Sequence, residues 1–133
     1  ARNIVQRAID DWERVIVNFN YSFGGNTFDL DLSATVWNDG LRGQTSNIGR
    51  DILTRKPNSA DILLDNNGGG SGWYFDTSIG TATNPDDGEY TDPVTLFASD
   101  NPGQVGRDFY RTTLHEIGHA VGLFFSTSGN FRI

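Results

Sequence analysis

The chain has two histidines, His115 and His119, four residues apart, with Glu116 directly after the first. On a helix, positions i and i+4 share a face, so the two imidazoles project side by side. This is the H-E-x-x-H pattern, in which two neutral ring nitrogens bind zinc at about 2.1 Å and the glutamate handles protons. A helix supplies both ligands at little ordering cost, and the neighbouring carboxylate reaches a water without occupying the metal. The expected roles are His115 and His119 as zinc ligands and Glu116 as general base in peptide-bond hydrolysis. The competing reading is two unrelated histidines on a helix surface. It requires the sole His pair to fall at this spacing by chance, and one of only three Glu to follow the first.

The helix carrying these residues is expected from about Asp108 to Phe124, with Leu114, Ile117, Val121 and Phe124 as its apolar face. Gly118 inside it costs about 1 kcal/mol relative to alanine, which points to close packing against a strand or a substrate backbone. Upstream, Ile4, Val5, Ala8, Ile9, Trp12, Val15, Ile16 and Phe19 recur at spacings of three and four and predict a core-facing first helix. Arg7, Asp10, Asp11, Glu13 and Arg14 fall mostly on its other face. Phe28, Leu30, Leu32, Ala34 and Val36 alternate with polar residues and predict a half-buried strand. Ala60 to Leu64 reads as a denser second strand, with shorter ones at Trp73 to Phe75 and Val94 to Ala98. Thr45 to Thr54 reads as a short helix turning Ile48, Ile52 and Leu53 inward, ended by Pro57-Asn58. The expected fold class is α/β (α+β). It is one domain over 1–133, a small twisted mixed sheet backed by the first helix and the active-site helix.

Composition narrows the chemistry further. Seventeen acidic residues against ten basic ones give a net charge of −7, which repels phosphate backbones, so nucleic acid is not an expected partner. No cysteine is present, so thiolate metal sites and disulfides are excluded. No apolar run approaches the roughly 20 residues a membrane span needs. Asp, Asn and Gly make up about a third of the chain, a composition suited to ordered loops and hard-cation sites.

The segment His115-Glu116-Ile117-Gly118-His119-Ala120-Val121-Gly122-Leu123 closely resembles the active-site helix of the metzincin zinc peptidases, especially the matrixin-like branch. That family's pattern is H-E-x-x-H-x-x-G-x-x-H, and Gly122 matches its turn glycine. Ser59-Ala60-Asp61-Ile62 resembles the matrixin strand that precedes the calcium loops. The resemblance implies a metzincin-like N-terminal subdomain, a secreted zinc-dependent endopeptidase acting on peptide or protein substrates, and structural calcium. The calcium expectation falls on Asp65-Asn66-Asn67 and on Asp86-Asp87-Gly88-Glu89 with Asp92. A solvated acidic turn is the competing reading for each loop.

The chain departs from the family at the third ligand. Phe125 stands where the third histidine belongs, there is no Met for the family's methionine turn, and no His, Asp, Glu or Cys follows Glu116 except His119 itself. Three expectations compete. The chain is a fragment lacking its C-terminal subdomain, or it takes a ligand from an upstream loop (Asp86, Asp87, Asp92 or Asp108). Alternatively, it is a catalytically inactive relative acting as an extracellular binding or self-assembling module. In the last case the apolar tail (Phe124, Phe125, Phe131, Ile133) is expected to pack on a second copy, making a homo-oligomer.

Overall fold

The computed structural model describes residues 1–76, 106–125 and 131–132. The first helix, α1, spans Arg2–Val15. It buries Ile4 and Ala8, while Val5, Ile9 and Trp12 pack half-buried against the same core. The apolar spacing predicted continuation to Phe19, but the helix stops earlier. Val15, Ile16 and Val17 are consecutive β-branched residues with restricted side-chain rotation in a helix, and Ile16 leaves helical geometry. Val15, expected inward, is 73% exposed. Arg7 departs in the other direction: placed on the polar face by spacing, it is buried, with Nε 2.8 Å from Asp11 Oδ2.

Three strands form the main sheet: β1 (Asp29–Thr35), β2 (Gly43–Arg50) and β3 (Pro57–Asp65). The order is β1-β3-β2, with β1 parallel and β2 antiparallel to β3. β3 is central and follows the period of two, with Ala60, Ile62 and Leu64 buried on one face. In β1, Leu30 and Leu32 pack against the core as expected, whereas Ala34 is exposed and Val36 lies beyond the strand at 61% exposure.

The expected helix at Thr45 to Thr54 is instead β2, followed by a turn. Ile48 packs against the core, but Ile52 and Leu53 are 68% and 69% exposed. Pro57 does not end a helix; it opens β3. Pairing with β3 gives the polar Gln44-Thr45-Ser46 segment the backbone partners its own side chains do not favour. The β2–β3 register shifts between Ser46 and Gly49. There Asn47 adopts φ 49°, and Gly49 passes so near Ser59 that a Cβ would collide with its hydroxyl.

A two-residue strand β4 (Trp73–Tyr74) pairs in parallel with β5 (Arg107–Asp108), which leads straight into α2 (Phe109–Ala120). Trp73 meets the Phe109 ring edge-on at 5.2 Å and Phe75 lies 4.9 Å from it, so both aromatics pack against the start of the second helix. α2 contributes Phe109, Tyr110, Ile117 and Ala120 to the core that α1 and β3 share. Backbone pairing of β6 (Phe124–Phe125) with β7 (Phe131–Arg132) follows it. The architecture is a small α+β domain with two helices and a mixed sheet. Among the described residues, no helix is long and apolar enough to cross a membrane. The expected strand at Val94 to Ala98 lies outside the described residues.

Candidate metal centre

The site is assembled on α2, and both ends of that helix are fixed by side-chain and backbone devices. At the start, Asp108 is the N-cap: its carboxylate accepts from the Arg111 N–H at 3.0 Å. At the end, Gly122 takes φ 101°, a left-handed conformation open to glycine. The Leu123 N–H then bonds Gly118 O at 2.9 Å and the Gly122 N–H bonds His119 O at 3.0 Å, the paired bonds of a Schellman cap. The helix therefore ends at Ala120 rather than at Phe124. A Cβ on Gly122 would also sit 3.1 Å from Pro57 at the start of β3.

That turn has a consequence for the chemistry. It brings the Leu123 carbonyl oxygen to 2.8 Å from His119 Nδ1. A carbonyl only accepts, so Nδ1 carries the proton and Nε2 presents its lone pair. His119 Nε2 lies 3.0 Å from His115 Nε2, with the rings crossed edge to face. Two nitrogens each about 2.1 Å from a tetrahedral ion stand about 3.4 Å apart. With His119 Nε2 as acceptor, the contact is a hydrogen bond donated by His115 Nε2, and it holds the two nitrogens close to the separation that two ligands of one ion require. The His119–carbonyl contact is of the kind that orients metal-ligating histidines. These two residues fit a zinc ion as a half-built ligand set. His115 is exposed and His119 half-buried, so the pair opens to solvent.

Glu116 is buried beside them, at 6% exposure. Thr45 in β2 holds it, since the Thr45 hydroxyl lies 2.8 Å from both Glu116 Oε2 and the Glu116 carbonyl oxygen. Gly43, two residues earlier on the same strand, is where the glutamate passes. A Cβ there would approach Glu116 Cγ to 2.8 Å and Oε1 to 2.9 Å. Gly118 is a close-approach residue too, though its neighbour is neither a strand nor a substrate. A Cβ on it would stand 3.1 Å from the Trp12 ring of α1, whose Nε1 donates to Leu114 O at 3.0 Å.

Sequence reasoning named His115, Glu116 and His119, and the fold brings the three together. It missed Thr45 and Gly43, which lie more than seventy residues upstream. No local signal marks them, because Gly43–Arg50 has a single apolar residue, Ile48. A cleft of about 590 Å³ opens along this wall, with Gly43, Thr45, His115, Glu116 and His119 among its lining residues.

The third ligand is where the expectations divide. Asp108 is not placed to complete the pair. It is the N-cap of α2, seven residues before His115 and about 10 Å from it along the axis at 1.5 Å per residue, and its Oδ1 is engaged in capping. Asp86, Asp87 and Asp92 lie outside the described residues. Among the described residues, no group of three or more His, Cys, Asp or Glu side chains is placed to hold a metal ion. Phe125 belongs to β6, its backbone paired with Phe131.

Of the two loops expected to hold calcium, only the first is described. Asp65 accepts from the main-chain N–H groups of Trp37 (2.9 Å), Asn67 (3.2 Å) and Gly69 (2.7 Å). The Trp37 bond above all, with its companions, holds this carboxyl below the ordinary range against the effect of burial. Its oxygens close the glycine loop on itself. No protein-family model, no curated protein and no solved structure matches this chain.

Proposed function

We propose that this domain is a zinc-dependent endopeptidase of the metzincin type, acting on extended peptide segments outside the cell. The observation that carries the reading is the approach of His115 and His119 Nε2 to 3.0 Å of each other beside a buried Glu116 held by Thr45. When bound, zinc supplies Lewis-acid polarisation of a carbonyl and a water of lowered pKa. His115 and His119 would hold the ion. Glu116 takes a proton from the attacking water and returns it to the leaving amine, while Thr45 keeps its carboxylate turned to the task. β2 is an edge strand among the described residues and lines the same cleft. Its outer N–H and C=O groups suit pairing with an extended peptide.

A second reading follows from Phe125, which stands in a β ladder at the position where the resemblance calls for a histidine. In that reading the domain is a non-catalytic module that binds or self-assembles through its apolar tail. One set of measurements separates the two. Zinc content and casein cleavage are measured on the chain and on Glu116→Gln. The peptidase reading expects bound zinc in both and cleavage only in the first, with a loss of about 100-fold or more. Failure to retain zinc, or full activity in Glu116→Gln, sinks it. An inactive chain that sediments as an oligomer supports the second reading.

A further inference from the structure

Among the described residues, the cleft beside Glu116 is lined by more arginines than carboxylates, although the chain as a whole is acidic. The protein is acidic, at −7, and has only ten basic residues, yet Arg42, Arg107 and Arg111 all line this one cleft. Two carboxylates line it with them, Asp108 and Glu116, and both are more than nine-tenths buried. Asp108 caps the helix through Oδ1, and burial pushes its carboxyl above the ordinary value. Glu116 is committed to Thr45. Among the described residues the ion pairs include Arg111 with Asp108, at 3.9 Å, but none to Arg42 or Arg107. Arg107 Nε and Asp108 Oδ2 are both buried there without a hydrogen-bond partner.

We propose that the cleft selects acidic peptide segments, with Arg42 and Arg107 receiving substrate carboxylates on the side of the cleft away from His119. This deepens, and rests on, the endopeptidase reading. Guanidinium groups match carboxylates with paired N–H bonds. A peptide extended along β2 places every second side chain on the same side, toward that rim. Specificity comes also from rejection, since a lysine-rich segment would meet the arginines unpaired. An excess of arginine over carboxylate in a cleft focuses positive potential there, so the preference survives an overall negative surface.

The test uses the full chain as Glu116→Gln, loaded with zinc, and a short fluorescein-labelled peptide of alternating Ala and Glu. The same peptide with Gln or Lys in place of Glu is the comparison, and binding is read by fluorescence anisotropy. The Glu peptide is expected to bind about tenfold more tightly than the Gln peptide, with the gap closing as salt rises and screens the charges. Adding Arg42→Gln should reduce the preference about threefold, and adding Arg107→Gln as well should abolish it. Equal binding of the Glu and Gln peptides, a preference that survives both substitutions, or no binding of any peptide overturns the proposal. Casein cleavage by the unsubstituted chain fails independently. Preference without cleavage keeps the charge assignment and sinks the peptidase, and cleavage without preference does the reverse.

Discussion

Glu116 is placed by two residues that do opposite things. Thr45 attracts it, through a hydroxyl 2.8 Å from Oε2. Gly43 makes room for it, since any Cβ would come within 2.8 Å of Cγ. Substitutions at the two positions should therefore separate stability from chemistry. Thr45→Val keeps the shape but removes the donor from a buried carboxylate, and is expected to cost about 1–3 kcal/mol in urea unfolding. Gly43→Ala pushes the carboxylate aside instead. It should leave zinc content unchanged while lowering kcat about 100-fold, the loss that a displacement near 1 Å produces. If Gly43→Ala retains full activity, the glutamate does not need the position it occupies here.

The elements that sequence made visible are those whose side chains repeat the backbone's own period. α1 shows its apolar stripe, β3 its alternating Ala60, Ile62 and Leu64, and α2 its histidine pair and apolar face. β2 was misread because its residues carry no such repeat; it is a strand by virtue of the partner it finds in β3. Since β2 supplies both residues that position Glu116, the support of the site was invisible where the histidine pair was plain. Arg7 was misread for a related reason, because a charged residue can be buried when a neighbouring turn brings it a carboxylate. The end of α2 was legible as a glycine but not as a device. Only the folded turn shows Leu123 O meeting His119 Nδ1. Gly122→Ala tests that link. A Cβ at φ 101° is strained and meets Pro57, so the chain should lose about 1–3 kcal/mol of stability. Zinc should also bind more weakly, by about tenfold or more, as His119 loses its fixed tautomer. Unchanged zinc affinity would detach the turn from the metal site.

The acidic composition has a structural use beyond charge, because three buried or half-buried aspartates hold separate parts of the molecule together. Asp51 accepts from the Ser22 hydroxyl and main chain and from Thr54, tying the segment after α1 to the turn after β2. Asp65 closes the glycine loop and anchors Trp37. Asp11 joins the helices, accepting from Arg7 on α1 and from the Tyr110 hydroxyl on α2. The Ser22 hydroxyl bond, with the Thr54 bonds, holds the Asp51 carboxyl far below its usual range. For Asp11, burial opposes ionisation, but the Arg7 and Tyr110 bonds outweigh it and its carboxyl is also lowered. A lowered carboxyl contributes stability that is complete above the unfolded value, about 3.9, and is lost as pH falls toward the folded value. Asp108 runs the other way. Burial raises its carboxyl, so its contribution is present at low pH and declines as pH rises through the folded value. Three groups of the first kind against one of the second predict an acid-labile fold. The urea midpoint should hold between about pH 7 and pH 5, then fall steeply below about pH 4. Asp51→Asn should lower the midpoint at neutral pH and flatten its decline in acid, because one of the titrating groups has been removed. Parallel pH profiles for the two chains would mean that Asp51 is not one of the groups whose protonation opens the fold.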